Sequence, residues 1–296
     1  MASTTSPKRS PCAKGHVRSI SLPSRSHPAS LRVVDELNRL RSGSSATSSG
    51  SARGGLASLE ELYEAVNEFL AVPLTQQAIS YNRGGACVDG LLDGSVWLLD
   101  AFGVTRDVVS AIREHARGVR SAIRRRNPCL GTVEEAVSGF LRMKRKLRKD
   151  VKGAAAGLKR IEEGFGDALA PAEHDQDFRL VMTVLREAVL LSVTALRSLL
   201  SSLDNGKKSK WGVIMVRLVN KGEIASREVG NGNDFEALDD VISGLSKDVL
   251  SMEKVKMTQE QLRDLEIRIG GVEDELDGLY RRMIRTRVSL LNILSQ

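Results

Sequence analysis

Aromatic residues make up only 4% of the chain, too few for the aromatic-rich core that a large sheet favours. The interior must instead be assembled from Leu, Val, Ile and Ala, a supply that suits helix packed on helix. Cysteine is scarce too. Cys12, Cys87 and Cys129 are odd in number and far apart, so they form neither a disulfide framework nor a zinc pattern, which suits a reducing compartment. No apolar run reaches the roughly 18 residues of a membrane span, and the most apolar stretch, 188–200, is interrupted by Arg197. No apolar segment near the N-terminus marks a secretory signal. Sustained period-two alternation between hairpin turns is missing, so no strand is required.

Chemistry-bearing patterns are equally sparse. Gly84-Gly85 lacks the following Lys-Ser/Thr of a phosphate loop. His16, His27, His115 and His174 have no His or Cys partner at ligand spacing, and no nucleophile and base converge. The expectation is a protein that is not an enzyme and holds no cofactor or metal. The net charge of +7 lies wholly in residues 1–55, so residues 56–296 balance to zero and no nucleic-acid partner is expected.

What the chain does have is a heptad stripe near its end. Leu262, Leu265, Ile269, Val272, Leu276, Leu279, Met283, Thr286, Leu290 and Ile293 alternate spacings of three and four, with Thr286 the one polar member. That pattern predicts a helix over 258–295, about 57 Å long, laying one seam against partner helices. Thr258 and Gln261 read as its capping box. Among its acids only Asp277 has a base four places on, Arg281, for pairing along the helix. Gly270, Gly271 and Gly278 argue against a free-standing rod, which favours burial of the seam in the same chain.

The rest of the chain reads as further helices. Residues 1–27 are Ser-, Pro- and Arg-rich and predicted disordered. A short helix follows Pro28 with Leu31, Val34, Leu37 and Leu40 on one face, and 42–55 reads as a Ser/Gly linker. From Leu56 a helical domain runs to residue 296. Ser58 and Glu61 read as a capping box, Pro73 as a stop, Gly103 as a helix end, and Thr105 as a new cap. Thr132 and Glu135 cap a long helix over 133–165 with a basic outer face. The Leu- and Val-rich helix over 177–203 is apolar nearly all round and belongs at the centre, where it is the favoured cover for the terminal seam. Residues 211–219 read as a short helix. The predicted fold class is all-α: an elongated multi-helix bundle with a long C-terminal heptad-patterned helix and a disordered N-terminal head.

Four stretches carry a family likeness. HVRSISLPSRSHP at 16–28, LLDGSVWLLD at 91–100, SAIRRR at 121–126 and LYRRMIRTRVSLLNILS at 279–295 resemble the plant-specific Bypass-like family. The resemblance implies an all-helical protein linked to root and shoot development. It brings no assigned activity and no catalytic residues.

Two segments are candidate binding sites. Arg142, Lys144, Arg145, Lys146, Arg148, Lys149 and Lys152 form the densest charge run. It reads either as the solvated face of a long helix or as a contact for an anionic membrane surface or for phosphates. Arg18, Ser19, Ser21 and Pro23 have the form Arg-Ser-x-Ser-x-Pro, a ligand for 14-3-3-type phosphoserine readers once Ser21 is phosphorylated. The same segment also reads as an inert tail or as a plastid transit peptide. The resulting expectation is a cytoplasmic scaffold or adaptor for protein partners, with a membrane-peripheral protein as the alternative.

Overall fold

The computed structural model describes residues 27–43, 52–83, 85–124, 130–167, 176–204, 234–245 and 252–296. These residues form eight helices and no strand. They are α1 (Pro28–Gly43), α2 (Ala52–Leu70), α3 (Pro73–Tyr81), α4 (Ala86–Arg124), α5 (Leu130–Asp167), α6 (Gln176–Asp204), α7 (Asp234–Leu245) and α8 (Met252–Ser295). The expected helical bundle is therefore present. The expected helix over 211–219 and most of the linker, 44–51, lie outside the described residues.

The helices are longer than their sequence signals suggested. Ser58, Thr132 and Thr258, read as caps, all sit inside helices that begin upstream, at Ala52, Leu130 and Met252. Gly103 does not end a helix either: α4 runs straight through it for 39 residues. Thr105 is buried within α4, and its hydroxyl donates to the Ala101 carbonyl at 2.7 Å. Ser, Thr and Gly carry cap and break signals only while the chain around them is undecided. Apolar faces buried on both sides of Gly103 decide it here, overriding about 1 kcal/mol of Gly helix cost. At Pro73 the reading holds. α2 ends at Leu70, extended Val72 precedes the proline, and Pro73 opens α3, where its missing N–H costs nothing.

α4 and α5 pack along one another, and α6 touches α1 to α5 and α7. The central place expected for the Leu-rich helix is the one it occupies. Phe178, Val181, Leu185, Leu196, Leu199 and Leu200 are all buried. Tyr63 of α2 reaches Ser192 of α6, hydroxyl to hydroxyl, at 3.1 Å. Burial pushes the Tyr63 pKa up to about 12, against a smaller opposite effect of the Ser192 hydrogen bond.

α1 lies on α2 and α6. Its buried face is Ala29, Val33 and Leu37, whereas Leu31 is 54% exposed. The expected stripe was thus rotated, because Val33 and Leu37 stand one turn apart and take the contact that Leu31 would otherwise make. Ion pairs Arg32–Glu68 and Arg39–Glu61 set α1 antiparallel to α2, and Arg41 pairs with Glu187 of α6.

Candidate functional surfaces

All ten seam positions of α8 are buried, from Ile269 and Leu279 at 0% to Thr286 at 7% exposure. The seam is closed within the chain, as expected, but its cover is different. α8 lies mainly against α4 and α2, with α7 near its start and α3 near its end. α6 faces it across an apolar gap lined by Leu185, Ala188 and Val189 on one side and Met283 and Leu290 on the other. α6 was favoured on apolar content alone, but its surface is already covered by the six helices that surround it.

Charged side chains fix the placement of α8. It runs antiparallel to α4, so that Arg287 meets Ser95, Arg106 pairs with Asp277 at 3.5 Å, and Arg113 with Glu273 at 2.8 Å. Further along, Arg117 and Arg120 both hold Glu266, and Gln259 donates to the Ile123 carbonyl at 3.3 Å. α8 runs parallel to α2, where Arg282 lies 3.4 Å from Glu60 and 3.5 Å from Glu64. Asp277 therefore pairs across helices, and not along its own helix with Arg281. The glycines fit this crossing. A Cβ on Gly270 would stand 2.7 Å from the Arg113 guanidinium, and one on Gly278 would run into the Glu60 carboxylate.

Burial alone would raise the Glu273 pKa. Hydrogen bonds from Arg113 and Ser110, with the charges of Arg113 and Arg117, outweigh it and hold the carboxyl below its ordinary range. Thr286, the polar seam residue, donates to the Asn67 side-chain oxygen at 2.9 Å. Both are buried, so this pair sets the register of α8 on α2 as a single polar position does in helical zippers.

The seam does not use every apolar residue of α8. Ile284, Val288 and Leu291 are 39%, 49% and 42% exposed. Their spacing of four and three puts them on one outer face. The sequence signal was present, since each stands one position beyond a seam residue or its flank, but the unbroken seam drew the reading first.

On α5 the structure divides the basic run. Lys144 turns inward, 13% exposed, and pairs with Asp239 of α7. Arg148 is exposed but already engaged in an interaction. Arg142, Arg145, Lys146, Lys149 and Lys152 are exposed and make no ion pair among the described residues. The opposite face is core, with Val137, Phe140, Val151, Leu158 and Ile161 buried. Arg18, Ser19, Ser21 and Pro23 lie outside the described residues.

No group of three His, Cys, Asp or Glu side chains suited to a metal occurs among the described residues. No described helix is long and apolar enough to cross a membrane. His115 is exposed on α4, with Nδ1 at 2.9 Å from the Ala111 carbonyl oxygen.

These features define an all-helical bundle with two outward-facing strips, one apolar and one basic. The family model described as Protein BPS1 matches residues 55–293, from the first turn of α2 to the last seam residue, and the chain belongs to that family, the Bypass-like proteins. No curated protein and no solved structure matches it.

Proposed function

We propose that the chain is a non-enzymatic helical scaffold or adaptor in the cytoplasm, acting in plant development, root and shoot growth included. Membership of the Bypass-like family supports the developmental setting. The observation that carries the adaptor reading is the row Ile284, Val288 and Leu291 on α8. These side chains are not needed by the seam, yet they stay apolar in water. Such a row on a rigid helix suits an amphipathic partner segment that brings its own apolar anchors. Arg281 is exposed beside it and favours acids on that segment.

Replacing Val288 with Glu tests this reading. The variant should keep the wild-type melting temperature within the range of a surface change, about 0.5 kcal/mol, yet fail to restore development in plants lacking the protein. Full restoration would remove the row from the function. A second docking element, the Ser21 motif, rests on sequence. A peptide covering Lys14 to His27 and phosphorylated at Ser21 should bind a 14-3-3-type protein more tightly than its unmodified form. Equal binding would exclude that partner.

A further inference from the structure

We propose that the outer face of α5 is a docking strip for an anionic bilayer surface, an activity beyond the adaptor reading. At 3.6 residues per turn, Arg142, Arg145, Lys146, Lys149 and Lys152 fall within about 120° of the helix circumference and span about 15 Å. Arg160 continues the same line and is also exposed without an ion pair among the described residues. Between Lys149 and Arg160 the line passes Gly153, Ala156 and Gly157, which keep the surface low between the charges. The nearest acid within this span, Asp150, stands at the edge of the arc. Glu135 and Glu163 lie beyond its two ends.

The helix cannot roll to hide this face. Its other side is held in the core through Phe140, Val151, Leu158 and Ile161, and further fixed by Lys144–Asp239 and Arg197–Glu162. A row of long flexible cations on one exposed helix face can reach a plane of headgroups along its length. Clusters of four to eight Lys and Arg are the size that anionic leaflets attract. A nucleic acid would be met differently. Single strands need stacking platforms, and no aromatic side chain stands among these cations. The charge is also local, since residues 56–296 balance to zero.

The test is sedimentation of the full-length chain with vesicles of phosphatidylcholine alone or with about 30% phosphatidylserine. Each basic residue near an anionic bilayer strengthens partitioning roughly five-fold. The wild type should bind the phosphatidylserine vesicles, ignore the neutral ones, and release them in high salt. The variant Arg145→Gln/Lys149→Gln/Lys152→Gln should bind roughly 100-fold more weakly, with unchanged circular dichroism and melting temperature. The variant Arg179→Gln/Lys256→Gln/Arg263→Gln removes as many exposed cations from other helices and should bind like the wild type. Retained binding by the α5 variant overturns the proposal, because the basic residues before α1 would then be responsible. Equal loss in both variants overturns it as a net-charge effect. Binding of a DNA duplex but not of vesicles at the same salt overturns it in favour of nucleic acid.

Discussion

α5 and α8 are near twins in length, 38 and 44 residues, and both carry many basic side chains. Their charges do opposite things. On α8, Arg268, Arg282 and Arg285 meet Asp234, Glu60 and Glu64 of neighbouring helices, and Glu266, Glu273 and Asp277 receive arginines from α4. On α5, one lysine, Lys144, turns to a neighbour's acid, and five cations of the same run face water without an ion pair among the described residues. Charge density along a helix therefore says little by itself. The location of the countercharge decides whether a basic helix is a strut or a contact surface.

Substitutions can break that contrast, and the largest effect belongs to the α8 seam. Leu279 is fully buried, and Leu279→Asp places an unpaired carboxylate in the core. The expected cost is about 4 kcal/mol or more, seen as loss of soluble expression or of cooperative melting. Arg145→Gln on α5 should leave the melting curve in place. If Leu279→Asp melts like the wild type, α8 is not part of the folded core.

Thr286→Val probes the polar register pair. It leaves the Asn67 oxygen without the hydroxyl that serves it, which should cost roughly 1–3 kcal/mol in chemical denaturation. Adding Asn67→Leu should recover part of that loss, because an apolar pair leaves nothing unsatisfied. No recovery would mean that the pair does more than satisfy itself.

The Glu273 pair gives a pH signature. Its folded-state pKa is lowered, so its contribution is present above the unfolded value and disappears as pH falls through the folded one. Stability should therefore fall on acidification through the carboxylate range more steeply in the wild type than in Glu273→Gln. Identical pH slopes would show that this carboxylate is not coupled to folding.

The smallest effect is expected at Gly278. An alanine gains up to about 1 kcal/mol of helix propensity but must push the Glu60 carboxylate aside. That carboxylate is the end of a flexible side chain, so the two terms nearly cancel. A melting temperature lowered by more than a few degrees would show that the Glu60–Arg282 pair is worth more than an ordinary surface ion pair, and one raised as far would show that displacing it costs nothing.

The apolar periodicity carried most of this architecture. All ten α8 seam residues and the central placement of the Leu-rich helix were readable because one face of a helix can be buried only by apolar side chains. What failed to read is instructive in the same terms. Helix ends were misplaced at Ser58, Gly103, Thr105, Thr132 and Thr258 because local cap chemistry is worth about 1 kcal/mol, and tertiary burial outweighs it. The choice of α2 and α4 over α6 as cover for the seam was invisible for a different reason. It is set by pairings such as Arg113–Glu273 and Asn67–Thr286, between residues more than 150 apart, and no local pattern announces them. Of the candidate sites, the basic run was legible as composition, but which of its members face outward depended on Asp239 of α7.

Thr286 and Asn67 are separated by 219 residues of chain, and the largest single share of the packing on α2 comes from the last helix. At about 5–20 residues per second, the ribosome needs roughly 10–40 s between making one partner and the other. During that interval, Leu59, Leu62, Val66 and Phe69 have only α1, α3 and α6 to shelter them. The face of α2 that Asn67 shares with Thr286 is therefore closed only after α8 has been made.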